Sequence, residues 1–184
     1  MKTALAFRFF LSLLLLPSTV SAFAQNASIS AAESACGPRG AQFIVKISPD
    51  DQHATVQPDP GKALVYVIED QKFKTVRDVT ARVGVDGTWV GANRGNSYLF
   101  FAVEPGEHHF CTDWISDYLP HGRLVSLNSF TAEAGRVYYF RARTTSSPSG
   151  SSFASAALDL DLVNNDEGKL LVASASLSVS QPKK

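Results

Sequence analysis

Residues 79–110 read VTARVGVDGTWVGANRGNSYLFFAVEPGEHHF, and the order of residue types in this stretch decides the fold. Val79, Ala81, Val83 and Val85 alternate with Thr80, Arg82, Gly84 and Asp86, the period of two expected of a strand with one buried face. Asp86-Gly87 is the strongest short hairpin signal, because its glycine takes positive φ cheaply, and Trp89-Val90 starts the return. Gly91 to Asn96 is polar and reads as a loop, while Tyr98 to Val103 is apolar enough to be buried on both faces. Pro105-Gly106 closes the next turn, proline presetting φ and glycine supplying the positive value. Strand, turn, strand, turn, strand is an architecture, and none of it is a reacting group.

Working outward, Glu107 to Trp114 reads as a strand with His108, Phe110 and Trp114 on one side and His109, Cys111 and Asp113 on the other. Arg123 to Phe130 is another, Glu133-Ala134-Gly135 is a turn, and Arg136 to Thr144 follows as a strand. Thr145 to Ser152 has linker composition, and a further strand runs from about Ala157 to Val163. Asn164-Asn165-Asp166-Glu167 resembles a helix start and predicts a short helix to about Ala173, after which Leu177 and Val179 fit a last edge strand. On the N-terminal side, Lys62 to Glu69 is apolar on both faces, which suggests a central strand, and Gln42 to Ile47 is the one strand before it. The expected fold is therefore all-β, a single antiparallel β-sandwich of about seven to nine strands with one short C-terminal helix. Residues 62–180 would form that domain, 25–61 an N-terminal extension, and 181–184 a polar tail.

Gly-Val-Asp-Gly-Thr-Trp-Val-Gly at 84–91 with Val-Glu-Pro-Gly-Glu-His-His at 103–109 resembles the core of the domain-of-unknown-function 2846 family of bacterial envelope proteins, and more loosely the PEGA domain. Ala134-Gly135-Arg136-Val137-Tyr138-Tyr139-Phe140-Arg141 is similar to that family's strand with paired tyrosines, and Lys62 to Val67 to its opening strand. The likeness spans about residues 62 to 175. It implies a β-rich domain exported to the envelope, and it brings no catalytic residues.

Met1 to Ala24 carries Lys2 and Arg8, an apolar run from Phe9 to Leu16, Pro17, and the small-residue end Ala22-Phe23-Ala24. That is the pattern of a secretory signal peptide cleaved before Gln25, and the apolar run is far below the roughly 20 residues of a spanning helix. A periplasmic or secreted protein with no transmembrane segment after cleavage is expected. Removing Lys2 and Arg8 from the 17 basic residues leaves 15 against 17 acidic ones, a net charge of −2, so no global field attracts nucleic acid. Cys36 and Cys111 remain, and in an oxidising compartment a disulfide is the economical reading, two free buried thiols being the alternative.

Candidate chemistry is sparse. His108, His109, Asp113 and His121 have metal-ligand side chains, but neighbours on a strand point to opposite faces, so His108 and His109 do not readily share an ion. Asp159 and Asp161 lie two apart on one strand face, which is more often a solvated face than a glycosidase pair. No nucleophile turn of the G-x-S-x-G type is present. On the tyrosine strand, Tyr138, Phe140 and Ala142 should face the core, leaving Val137, Tyr139, Arg141 and Arg143 outside. Tyr139, Arg141 and Arg143 are thus a possible surface binding patch for a sugar or an anionic partner, against the plainer reading of arginine stems covering a solvated sheet. The sequence favours a non-catalytic binding or structural module with no cofactor, acting on an unknown envelope component, protein or glycan. The alternative is a hydrolase or metal-dependent enzyme on the same scaffold.

Overall fold

The computed structural model describes residues 34–48, 56–70, 80–115, 123–146 and 156–184. In chain order they form β1 (Phe43–Ser48), β2 (Ala63–Glu69), β3 (Thr80–Val85), β4 (Thr88–Arg94), β5 (Ser97–Val103), β6 (Gly106–Ile115), β7 (Arg123–Ala132), β8 (Val137–Ser146), β9 (Ala156–Val163), α1 (Asn165–Ser174) and β10 (Ser176–Pro182). The protein is mostly β, with one short helix among the described residues, and its strands fall in two sheets. One has six strands in the order β1-β10-β5-β2-β8-β9, the other four in the order β4-β3-β6-β7.

The Asp86-Gly87 hairpin forms as expected. Both residues have positive φ, 49° and 77°, the two-residue turn whose twist matches its flanking strands. Asp86 tolerates this because its carboxylate is occupied: Oδ1 accepts from the His109 backbone N–H at 2.8 Å, and Oδ2 bonds His108 Nδ1 at 2.7 Å. Burial disfavours charge on both groups. The hydrogen bonds outweigh it, holding His108 above and Asp86 below their ordinary values.

The central position expected of β2 is observed, and the reason lies in what covers it. Ala63, Val65 and Val67 point into a core shared by the two sheets, with Leu99, Phe140, Ala142 and Leu160 from their own sheet meeting Val83, Val85, Phe110 and Phe130 from the other. Leu64, Tyr66 and Ile68 point the opposite way, into a second core beneath α1 with Tyr98, Tyr139 and Val172. Each such aliphatic side chain taken fully from water stabilises by about 1.5–3 kcal/mol.

Several expectations are corrected. The sheets are not purely antiparallel: β2 pairs β8 and β10 pairs β5 in parallel. Strand signals read locally cannot show this, because those pairings join segments distant in the chain. The described residues hold ten strands, more than the seven to nine expected, and Gly91 to Arg94 is not a loop but the continuation of β4, only Gly95-Asn96 turning. Its polar Asn93 is fully buried and donates Nδ2 to the Val67 carbonyl at 3.0 Å, so composition misleads where a polar side chain finds a partner inside. Nor is β10 an edge strand, for β1 lies outside it, pairing Phe43 with Pro182 and Ile44 with Gln181, so Gln181 and Pro182 are strand rather than tail. The serines of β10 join it to the other sheet. Ser180 Oγ accepts from the Ala92 N–H at 3.0 Å, and Ser178 Oγ donates to the Ala92 carbonyl at 2.8 Å, closing the free edge of β4.

Before β1, residues 34–42 lie on the outer face of the four-stranded sheet. Cys36 and Cys111 are joined, Cα to Cα 5.1 Å apart and both buried. A Cβ added at Gly84 would lie 2.1 Å from the Cys36 carbonyl oxygen, so only glycine admits this segment. Trp89 Nε1 donates to the Pro38 carbonyl at 2.8 Å, and Arg82, stacked 4.3 Å over the Trp89 ring, donates to the Ala41 carbonyl and to Asp113.

Candidate functional site

α1 crosses the outer face of the six-stranded sheet and makes the groove that is the candidate site. Its start follows from Asn164, whose Oδ1 accepts from the backbone N–H groups of Asp166 at 3.1 Å and Glu167 at 3.0 Å. Its end is held by Asn96, which donates Nδ2 to the Ser174 carbonyl at 2.7 Å. Between them Gly168 rests on the Tyr139 ring: a Cβ there would lie 2.2 Å from Tyr139 Cγ. Glycine inside a helix gives up about 1 kcal/mol of propensity relative to alanine. Here the overlap decides the sign, so Gly168→Ala should destabilise by about 2–3 kcal/mol in a urea titration despite its better propensity. An unchanged or raised midpoint would mean that α1 does not sit on Tyr139.

Between α1 and the sheet lies a groove of about 570 Å³. Tyr66, Val137, Tyr139 and Val172 form its apolar lining, with the Tyr66 and Tyr139 rings stacked at 5.1 Å and 18°. Arg136 and Lys169 flank it, and Gln57 and Asn165 add neutral polar groups. Arg136 is placed by the turn before β8, where Gly135 takes φ 75° and donates its N–H to the Lys62 carbonyl at 2.8 Å, and the Leu64 N–H donates to the Arg136 carbonyl at 2.9 Å. Burial raises the Tyr139 phenol above its ordinary value, so it stays neutral and can donate.

Tyr139, Arg141 and Arg143 do share the outer face of β8, yet the structure does not present them as one open basic patch. Tyr139 is buried beneath α1. Arg141 donates Nε to Asp70 at 2.7 Å and Nη1 to Glu167 at 3.0 Å, and Arg143 lies 3.4 Å from Asp161 and 3.9 Å from Asp159. The two aspartates of β9 are thus ion-pair partners of an arginine. His108 is bound to Asp86, Asp113 is buried against Arg82, and no group of three metal-ligand side chains occurs among the described residues, outside which His121 lies.

Residues 59–156, more than half of the 184, match the family described as "Protein of unknown function (DUF2846)". The chain belongs to that family. The matched span of this DUF2846 protein holds β2 to β8 and the sheet side of the groove, whereas α1 and β10 follow it and Cys36 precedes it. The match is shorter at its C-terminal end than the likeness read from sequence, which ran to about residue 175. No curated protein and no solved structure matches the chain. Sequence reasoning missed Tyr66, Arg136 and Lys169 as groove residues. The one available signal was Tyr66 itself, a phenol in a strand apolar on both faces, which implies cover on the second face.

Proposed function

We propose that this protein is an exported, non-catalytic module of the bacterial envelope, two sheets closed into a sandwich, that acts by binding a ligand in the groove between α1 and the six-stranded sheet. The groove carries the reading. Its volume lies in the range of small-molecule sites, and its lining joins an aromatic and aliphatic floor to a few polar groups, the usual composition of a binding cleft. Export is supported by the buried Cys36–Cys111 bridge, which suits an oxidising compartment. No helix among the described residues is long and apolar enough to cross a membrane.

Two measurements test this. The intact mass of the protein from its own host should correspond to a chain beginning at Gln25, and a form beginning at Met1 would overturn export. In amide NMR spectra of the oxidised protein, small-molecule fragments should shift Val137, Lys169 and Ala173. Shifts confined to the hollow beside His109, Asn128 and Ser129, or turnover of ester, phosphate or glycoside substrates, would overturn the binding reading in favour of another site or of an enzyme.

A further inference from the structure

We infer that the groove takes a small organic anion with an apolar body, an inference that rests on the groove being a binding site. The charge pattern leads to it. Lys62 pairs with Glu104, Arg82 with Asp113, Arg141 with Asp70 and Glu167, and Arg143 with Asp159 and Asp161. Arg136 and Lys169 have no carboxylate partner among the described residues, and both line the groove, where no described acidic residue does. Two uncompensated cations beside one cleft raise the local concentration of anions and repel cationic ligands. A bare inorganic anion would leave the Tyr66, Val137, Tyr139 and Val172 floor in contact with water, so the complementary ligand carries its negative group at the Arg136 and Lys169 flank and a ring or chain on that floor. Arg136 reaches a carboxylate, sulfonate or phosphate with two parallel N–H donors, and Lys169 adds a point charge.

The test uses two dyes with the same aromatic body, 1-anilinonaphthalene-8-sulfonate and the neutral N-phenyl-1-naphthylamine, titrated into the oxidised protein. The sulfonate should bind once per chain, and the neutral dye at least about ten-fold more weakly, since a hydrogen bond to a charged group contributes about that factor or more. Arg136→Gln and Lys169→Gln should each weaken the sulfonate about five-fold, the smaller factor reflecting their exposure. Ala173→Trp, an exposed position on the groove wall, should block both dyes while leaving the far-UV circular dichroism and the urea midpoint of the fold intact. Equal affinities for the two dyes, or charge variants that bind the sulfonate as the parent does, would overturn the anion class. If Ala173→Trp still blocks binding in that case, the groove itself stands as a site. Sulfonate binding that survives Ala173→Trp, or no saturable binding at all, would overturn the groove and the anion class together.

Discussion

Replacing Cys36 by serine is expected to destabilise the oxidised protein by about 4 kcal/mol, the chain-entropy value for a bridge whose cysteines are 75 residues apart. The local consequence should be larger than the global one. Residues 34–42 reach the four-stranded sheet through few anchors: the bridge, the close approach at Gly84, the Trp89 bond to Pro38 and the Arg82 bond to Ala41. Without the bridge, the remaining hydrogen bonds contribute only about 1 kcal/mol each, too little to hold a nine-residue segment (34–42) against its conformational entropy. The same segment supplies a carbonyl to the buried Arg82, so its departure also uncovers the Arg82–Asp113 pair. Limited proteolysis of the oxidised variant should therefore cut near Arg39 at a rate at which the parent is intact. Under reductant the two proteins should converge. Gly84→Ala keeps the bridge but sets a Cβ against the Cys36 backbone, so it should loosen the segment without releasing it. Two reactive thiols in the unfolded, unreduced parent, or equal midpoints for parent and Cys36→Ser, would refute the bridge.

Much of this fold was legible because its signals are local. Asp86-Gly87 declares its turn by residue type, β2 declares its central place by being apolar on both faces, and Asn164 declares the start of α1 by its side-chain oxygen. What stayed hidden depends on distant partners. Gly91 to Arg94 resembles a loop until Val67 and Ser180 are brought beside it, and Leu177 and Val179 resemble an edge until β1 pairs outside them. Alternation assigned Tyr139 to the correct face of β8, but only the fold shows that Gly168 lets a helix rest on that ring. The groove was illegible for the same reason, since Arg136 and Lys169 belong to segments that meet only when α1 packs on the sheet.

Stability should fall as pH rises from about 5 to 8, and Glu69→Gln should remove the larger part of that fall. Glu69 ends β2 in register with Ala63, Val65 and Val67, so its side chain follows theirs into the space between the sheets, where it is 3% exposed and its Oε2 has no hydrogen-bond partner. Its neighbour in sequence, Asp70, points the other way, to Arg141 on the outer face of β8, and no ion pair reaches Glu69 among the described residues. Burial first, and the charge of Asp70 second, push the Glu69 carboxyl from 4.5 to about 8. The folded protein therefore keeps a proton that the unfolded chain releases near pH 4.5. Between these two values the native state binds more protons than the unfolded state, so each pH unit lowers unfolding free energy by about 1.4 kcal/mol, and the loss flattens above 8. Across pH 5 to 8 the total is of the order of 4 kcal/mol. His108, held above its ordinary value by Asp86, also loses its contribution as pH rises through its folded pKa, but it does so equally in both proteins and cancels in their difference. Urea midpoints of the two proteins should thus lie close together at pH 5, where the neutral acid and the amide are near isosteres, and separate steadily to pH 8 with the amide more stable. Parallel pH profiles would place Glu69 in contact with solvent or a cation, contrary to its position between the sheets.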